Sequence, residues 1–414
     1  MNTPDKTNDV DNKDNILNET FFDKYHCIKK IGHGSFGSIY KAECNGEYYA
    51  LKFEKKEKSQ NLLENEAVVM DYLKGPSIPH IKFYGSTPDY NILVMQLFGK
   101  NLQTLFEENK RRFSLKTVCM LGYQIISILE YIHNNHIIHR DIKPDNFVMG
   151  LNNLSQYVYL LDFGLAKKYR SSRTLRQIPF VHKKKIVGTT RYASINALSG
   201  YEQSRKDDLE AVGYVLIYFA KGHLPWQDMH VKNKQERYKY ILSKKLEITS
   251  RELCEGLPEE FEKYIQYTRN LDYYDDPDYE MLKELFISVI KRNGSTFDYV
   301  YDWTTPEENL MRSESISKDD WDSNHNRIST LASMRHSGEN KDENNEYCLA
   351  TNSRDYRKKS SQTFSKDYNY RRENSYETDE HNIDTICNLK RENYLETLNY
   401  DEEIVCCSSA CNIF

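Results

Sequence analysis

The chain has 414 residues, 39% of them hydrophobic and 29% charged, with a formal net charge of −5. That balance gives no electrostatic case for nucleic-acid binding, and no run of 18 apolar residues offers a membrane span. The length allows one large or two medium domains with residues left over for solvated segments. Of the nine cysteines, Cys27, Cys44, Cys119, Cys254, Cys348 and Cys387 stand singly and make no metal-ligand spacing. This reads as a reduced, cytosolic chain.

Residues 1–20 are polar, with five acids against two lysines, and are expected to be disordered. Order is expected to begin near Phe21. The segment from Tyr25 to Ile31 reads as a strand that runs into the glycine loop Gly32-His33-Gly34-Ser35-Phe36-Gly37. Ser38 to Ala42 reads as a second strand, Asn45-Gly46 as a hairpin turn, and Glu47 to Phe53 as a third strand carrying Lys52. A G-x-G-x-x-G before a helix would suggest dinucleotide binding, but here both flanks are β-branched and aromatic. Leu62 to Leu73 is helix-like and carries Glu64 and Glu66. Ile92 to Phe98 reads as a buried strand. Lys116 to Asn135 is a long core helix, with Val118, Leu121, Ile125, Leu129 and Ile132 at helical spacing. His133 and His136 are expected at its surface or cap. Asp207 to Ala220 is apolar nearly all round and reads as a buried central helix, with Asp207 or Asp208 capping it and bracing the stretch from Ile137 to Phe147. After Trp303 the chain turns polar, and disorder is expected from about 312 to 400.

The chemistry-bearing stretch is Ile137 to Phe147, IIHRDIKPDNF, followed by Asp162-Phe163-Gly164. Glycine loop, Lys52, HRDIKPDN and DFG, in that order, resemble a protein kinase. The resemblance implies an α+β fold of two lobes: a small β-rich lobe over about 21–98 and a larger helical one over about 99–305. It also implies ATP and Mg²⁺. Asp141 would accept the proton of the attacking hydroxyl and Lys143 would steady the transferring phosphoryl group. Asn146 and Asp162 would give oxygen ligands to Mg²⁺, a hard ion suited to them. ATP would lie against Ile31, Gly32, His33, Gly34, Ser35, Phe36, Gly37, Ile39, Ala50, Lys52, Met95 and Leu97. Glu64 and Glu66 are both candidates to position Lys52, and the family pattern, counted back from Lys74-Gly75, favours Glu66.

The resemblance narrows further. In place of Ala-Pro-Glu stands Gly188 to Asn196, GTTRYASIN. With Glu202 to Glu210, LPWQ at 224–227 and Phe297 to Trp303, this is similar to the casein kinase 1 family over about residues 22–305. The family implies a Ser/Thr kinase active without activation-loop phosphorylation, acting on acidic or phosphate-primed protein substrates. Arg140 and Lys167 match one of its basic pairs, and Arg191, Lys234 and Arg237 match a second group. Asp228 stands where the family usually has Gly, which argues for weaker anion capture there. The run Lys183 to Lys185 reads as a solvated face or a contact for acidic substrate.

The tail over 306–404 is polar, and 405–414 is Cys-rich. Cys411 lies fourth from the end of the sequence given, in a pattern like that for prenylation, with Cys406 and Cys407 as candidates for palmitoylation. This layout resembles membrane-bound members of the same family. It implies a cytoplasmic location on the inner face of a membrane, the plasma membrane favoured, through the C-terminal lipid. A monomer and no nucleic-acid partner are expected. Two rival readings are a catalytically silent kinase fold used for binding, and a lipid-anchored adaptor.

Overall fold

The computed structural model describes residues 16–34, 37–58, 60–182, 184–227 and 233–307. The expectations for the tail from 308 onward and for Cys406, Cys407 and Cys411 lie outside these residues, as do Ser35, Phe36, Lys183 and Asp228.

Between residues 20 and 96 the chain builds one antiparallel sheet, with strands β1 (Thr20–Phe21), β2 (Tyr25–Gly34), β3 (Gly37–Cys44), β4 (Glu47–Lys55), β5 (Ile81–Ser86) and β6 (Tyr90–Gln96) in the order β1-β2-β3-β4-β6-β5. Asn45 and Gly46 take φ of 53° and 84° between β3 and β4, the positive values that a two-residue hairpin turn requires. The pleat of β4 then divides its side chains. Leu51 and Phe53 join an outer cluster with Tyr25, Tyr40 and Val94. Ala50 joins the main core, and Lys52 points the same way, toward helix α1 (Leu62–Leu73).

The outer cluster also corrects the expected start of order. Ile16 is 3% exposed within it, the Asn18 amide donates to Cys27 O at 2.8 Å, and the Cys27 amide donates to Glu19 O at 2.9 Å. The folded unit therefore reaches back to Ile16 rather than beginning at Phe21. One apolar residue in a polar stretch is enough when a sheet face needs a cover.

The large lobe is helical. It contains α2 (Leu102–Glu108), α3 (Leu115–Asn134), two short ladders pairing β7 (Ile137–Ile138) with β10 (Lys167–Lys168) and β8 (Phe147–Met149) with β9 (Val158–Leu160), then α4 (Ile195–Leu198), α5 (Arg205–Lys221), α6 (Lys234–Glu247), α7 (Ser250–Leu253), α8 (Glu259–Asn270) and α9 (Tyr279–Arg292). The α+β architecture of two lobes is as expected. By length and composition α3 could cross a membrane, but its five spaced apolar residues are wholly buried in the domain core. Each such side chain contributes about 1.5–3 kcal/mol on burial.

Helix α5 is buried on every side from Arg205 to Ala220. It ends at Gly222, whose φ of 89° lets its amide donate back to Tyr218 O at 2.9 Å. Gly213 lets α8 approach: a Cβ there would lie 2.6 Å from Ile265 Cδ1. The segment before residue 305 closes the domain by strapping onto α3, with the Ser114 amide donating to Asp302 Oδ2 at 2.7 Å and Lys116 paired with Asp298 at 2.8 Å.

His136 is half-buried and caps the end of α3 as expected, its amide donating to His133 O at 2.9 Å, but His133 is not a surface histidine. His133 is 1% exposed, with Nδ1 2.8 Å from the Tyr279 hydroxyl and Nε2 3.0 Å from Asp208 Oδ2. His136 Nδ1 accepts from Arg170 Nε at 2.8 Å. Tyr279, Asp208 and Arg170 all lie far away in sequence, so no local pattern announces them. Burial holds His133 below its ordinary value of 6.5, against the opposing pull of Asp208. The unfolded chain therefore binds this proton first, and stability present above pH 6.5 is lost as pH falls. His133→Gln is expected to destabilise most at pH 8, and its cost should be smaller at pH 5.5. Thermal unfolding of both proteins at the two pH values measures this, and an equal cost at both would remove the assignment.

Candidate active site

Three parts of the chain meet at Lys52. Its Nζ lies 2.6 Å from Glu66 Oε2 and 3.0 Å from Asp162 Oδ1, with all three side chains largely buried. The strand supplies the lysine, α1 supplies Glu66, and the turn after β9 supplies Asp162. Glu66 is thus the partner of Lys52, and the choice between it and Glu64 is settled by which side of α1 faces the sheet. Burial works against the charge on Lys52, but Asp162 and Glu66 outweigh it and hold its proton above the ordinary range. Burial likewise opposes ionisation of Asp162, and Lys52 and Lys143 overcome it, keeping this carboxyl below its usual value. Asp162 is therefore an oxygen donor with a fixed negative charge.

The segment after α3 forms the second half of the site. Asp141, 7% exposed, is held through both oxygens. Oδ1 accepts from the Thr189 amide and hydroxyl, each at 2.8 Å, and Oδ2 accepts from Lys143 Nζ at 2.7 Å. Asn146 Nδ2 donates to Asp141 O at 2.9 Å, which leaves its Oδ1 as the acceptor. His139 is wholly buried; its Nδ1 accepts from the Asp141 amide at 3.3 Å and its Nε2 lies 3.0 Å from Leu161 O. That pattern places the proton on Nε2, which donates to the carbonyl. Gly188 has φ of 82°, and a Cβ there would collide with Arg140 O at 2.3 Å, so only glycine lets the segment carrying Thr189 approach Asp141.

Asp207 and Asp208 divide the two tasks left open in the sequence. Asp207 caps α5, accepting from the Ser204 amide and from Ser194 Oγ, both at 2.6 Å. Asp208 braces the loop, accepting from the His139 amide at 2.7 Å and the Arg140 amide at 2.9 Å. Arg140 has φ of 67°, a strained conformation that these bonds hold in place.

Around the glycine hairpin, Gly32 pairs with Ile39 and Gly34 with Gly37. Ile39 stands opposite Lys52 and Ala50 opposite Met95. Ile39, Ala50, Met95 and Leu97 pack on the main core at the foot of the sheet, while Ile31 and His33 are exposed. The donor set fits a nucleotide with a hard cation. Among the described residues no cluster of three His, Cys, Asp or Glu could hold a metal unaided, whereas Asn146 and Asp162 could supply two oxygens and phosphates others.

The basic residues form no single patch. Arg140 Nε donates to Leu165 O at 2.7 Å. Lys167 and Lys184 converge on the buried Glu202, at 3.1 and 3.4 Å. Burial lowers both Arg140 and Lys167 from their ordinary values, with Glu202 opposing it. Arg191 follows Gly188, and its carbonyl accepts from Trp226 Nε1 at 2.8 Å. Lys234 begins α6, which packs on α4. Arg237 lies one turn further on, with Nε buried and no acceptor among the described residues. The sequence assigned no role to Thr189, Glu202, Asn65 or His139, and Lys184 entered only within the run Lys183 to Lys185. Thr189, Glu202 and His139 were visible as members of motifs, but their contacts were not.

A family model described as a protein kinase domain matches residues 25–285, a span that holds every residue of this site.

Proposed function

The chain belongs to the protein kinase family, and on that premise we propose that it is an active serine/threonine kinase of the casein kinase 1 type, acting on acidic or phosphate-primed protein substrates. The observation that carries the activity is the buried Lys52–Glu66–Asp162 network set beside Asp141, Lys143 and Asn146. A silent kinase fold has no need to keep all of these charges together.

Protein kinases use ATP and Mg²⁺. In this chain Lys52 would hold the α- and β-phosphates, with Ile39, Ala50, Met95 and Leu97 against the base. Asn146 and Asp162 would hold the metal, which when bound neutralises charge on the phosphates. Asp141 takes the proton of the substrate hydroxyl, and the Thr189 contact orients its carboxylate for that. Lys143, held above its usual value by Asp141 and Asp162 against the effect of burial, keeps a positive charge beside the transferring group. Transfer of the phosphoryl group is then mainly a matter of position and charge.

The casein kinase 1 reading is supported by GTTRYASIN, LPWQ and the FDYVYDW segment. The substrate class is supported by Arg140, Lys167 and Lys184, three cations set around the single carboxylate of Glu202, and by Arg237, whose buried Nε has no acceptor among the described residues. Attachment to the cytoplasmic face of a membrane is supported by Cys406, Cys407 and Cys411 alone. A monomer suffices for this chemistry.

With Mg-ATP and casein the full chain is expected to incorporate phosphate, and Asp162→Asn to lower the rate more than about a hundredfold. Absence of activity in the wild type would favour the binding-module reading. Lys167→Ala is expected to raise KM for an acidic peptide about tenfold and leave a neutral peptide unaffected; equal effects on both would dismiss the anion site. Cys411→Ser is expected to shift the protein from the membrane to the soluble fraction of cells, and unchanged fractionation would sink the lipid anchor.

A further inference from the structure

Beside Glu66 on α1 stands Asn65, a polar residue 8% exposed. Its Nδ2 lies 2.9 Å from Gly164 O and 3.3 Å from both Phe163 O and Ala166 O. The three carbonyls belong to the turn that begins at Asp162. Three acceptors facing one amide fix its orientation, because reversing it would set Oδ1 against other oxygens. The consequence is that Oδ1 is buried with no hydrogen-bond partner among the described residues. An apolar residue of the same size would leave no such orphan. Asn65 therefore makes sense for what its donor holds, not for packing.

The turn it holds is otherwise close to α1. A Cβ on Gly164 would lie 3.3 Å from Leu62 O and 3.6 Å from Asp162 Oδ1. Asp162 itself sits at φ of 66°, a conformation that its neighbours must maintain. Phosphoryl transfer needs both the helix carrying Glu66 and the turn carrying Asp162 in place, and these are separate elements that could move apart.

We propose that Asn65 is a positioning residue that latches the metal-binding turn to α1, so that closing the Lys52–Glu66 pair and seating Asp162 are one event. The latch uses backbone carbonyls, so it depends on the path of the turn and not on its side chains. It needs no added phosphate to form. Its effect on turnover rests on the kinase reading above, whereas its effect on the turn does not.

The test uses the full-length chain with Asn65→Leu, which removes the donor at similar volume, and Asn65→Asp, which sets a carboxylate against the three carbonyls. Without nucleotide, hydrogen exchange of the amides over 163–166 is expected to quicken about tenfold in both variants, with the amides of α3 unchanged. With Mg-ATP, kcat is expected to fall about tenfold at unchanged peptide KM. The proposal is overturned if exchange over 163–166 stays within twofold of the wild type. It is also overturned if exchange rises equally in α3, which marks a general packing role, or if kcat is unaltered in an active wild type. An inactive wild type would count against the kinase reading, and the exchange result would still decide the latch.

Discussion

A lysine cation held between two buried carboxylates sets the terms for this molecule. Each charge costs several kcal/mol to take out of water, and only the others compensate it. As a source of stability such a network is weak, since apolar residues of equal volume would serve as well. What it fixes is relative position. Lys52 comes from the sheet, Glu66 from a helix packed on it, and Asp162 from the large lobe. If any one of the three elements moves away, a buried charge is left alone. The network therefore converts a mutual arrangement of three parts into an energy requirement.

The catalytic loop answers to a second anchor. Asp207 and Asp208 are consecutive and equally buried, yet their surroundings separate them. Burial pushes Asp207 up to about 7 despite the Ser194 hydroxyl and Ser204 amide that it accepts from. At Asp208 burial is outweighed, first by the bond from His133, and the carboxyl stays below its ordinary value. The carboxyl held below its ordinary value is the one that accepts the two loop amides. A fixed charge thus sits beneath the strained Arg140, and the loop that carries Asp141 is shaped by the large lobe alone. The site is assembled from one half that is rigid by itself and another that depends on the fit between lobes.

Much of this was legible in the sequence because it rests on local order. The hairpin at Asn45-Gly46, the helix from Leu62 to Leu73 and the core stripe of α3 follow from turn chemistry and periodicity, and the candidate catalytic residues lie in two short motifs. What escaped were contacts between residues far apart in the chain. His133 looks like a helix-end residue until Tyr279 and Asp208 close around it. Asn65 looks like an ordinary polar position in a helix until three carbonyls of a distant turn meet it. Glu202 sits in a motif whose wording gives no hint that it bridges two lysines. The paired Asp207 and Asp208 could be recognised as a cap and a brace, but their order depends on which way α5 is rotated against the loop.

The outer face of the sheet carries a consequence for handling the protein. Phe21, Tyr25, Tyr40, Phe53 and Val94 form an aromatic and aliphatic surface on the side away from the large lobe, and Ile16 lies over it. Residues 16–19 therefore cover this face of the sheet. A chain begun at Phe21 would keep every catalytic group while uncovering part of this surface to water. Contiguous apolar area of that kind draws molecules together, so solubility and self-association in such a fragment would be governed by a single isoleucine far from the chemistry.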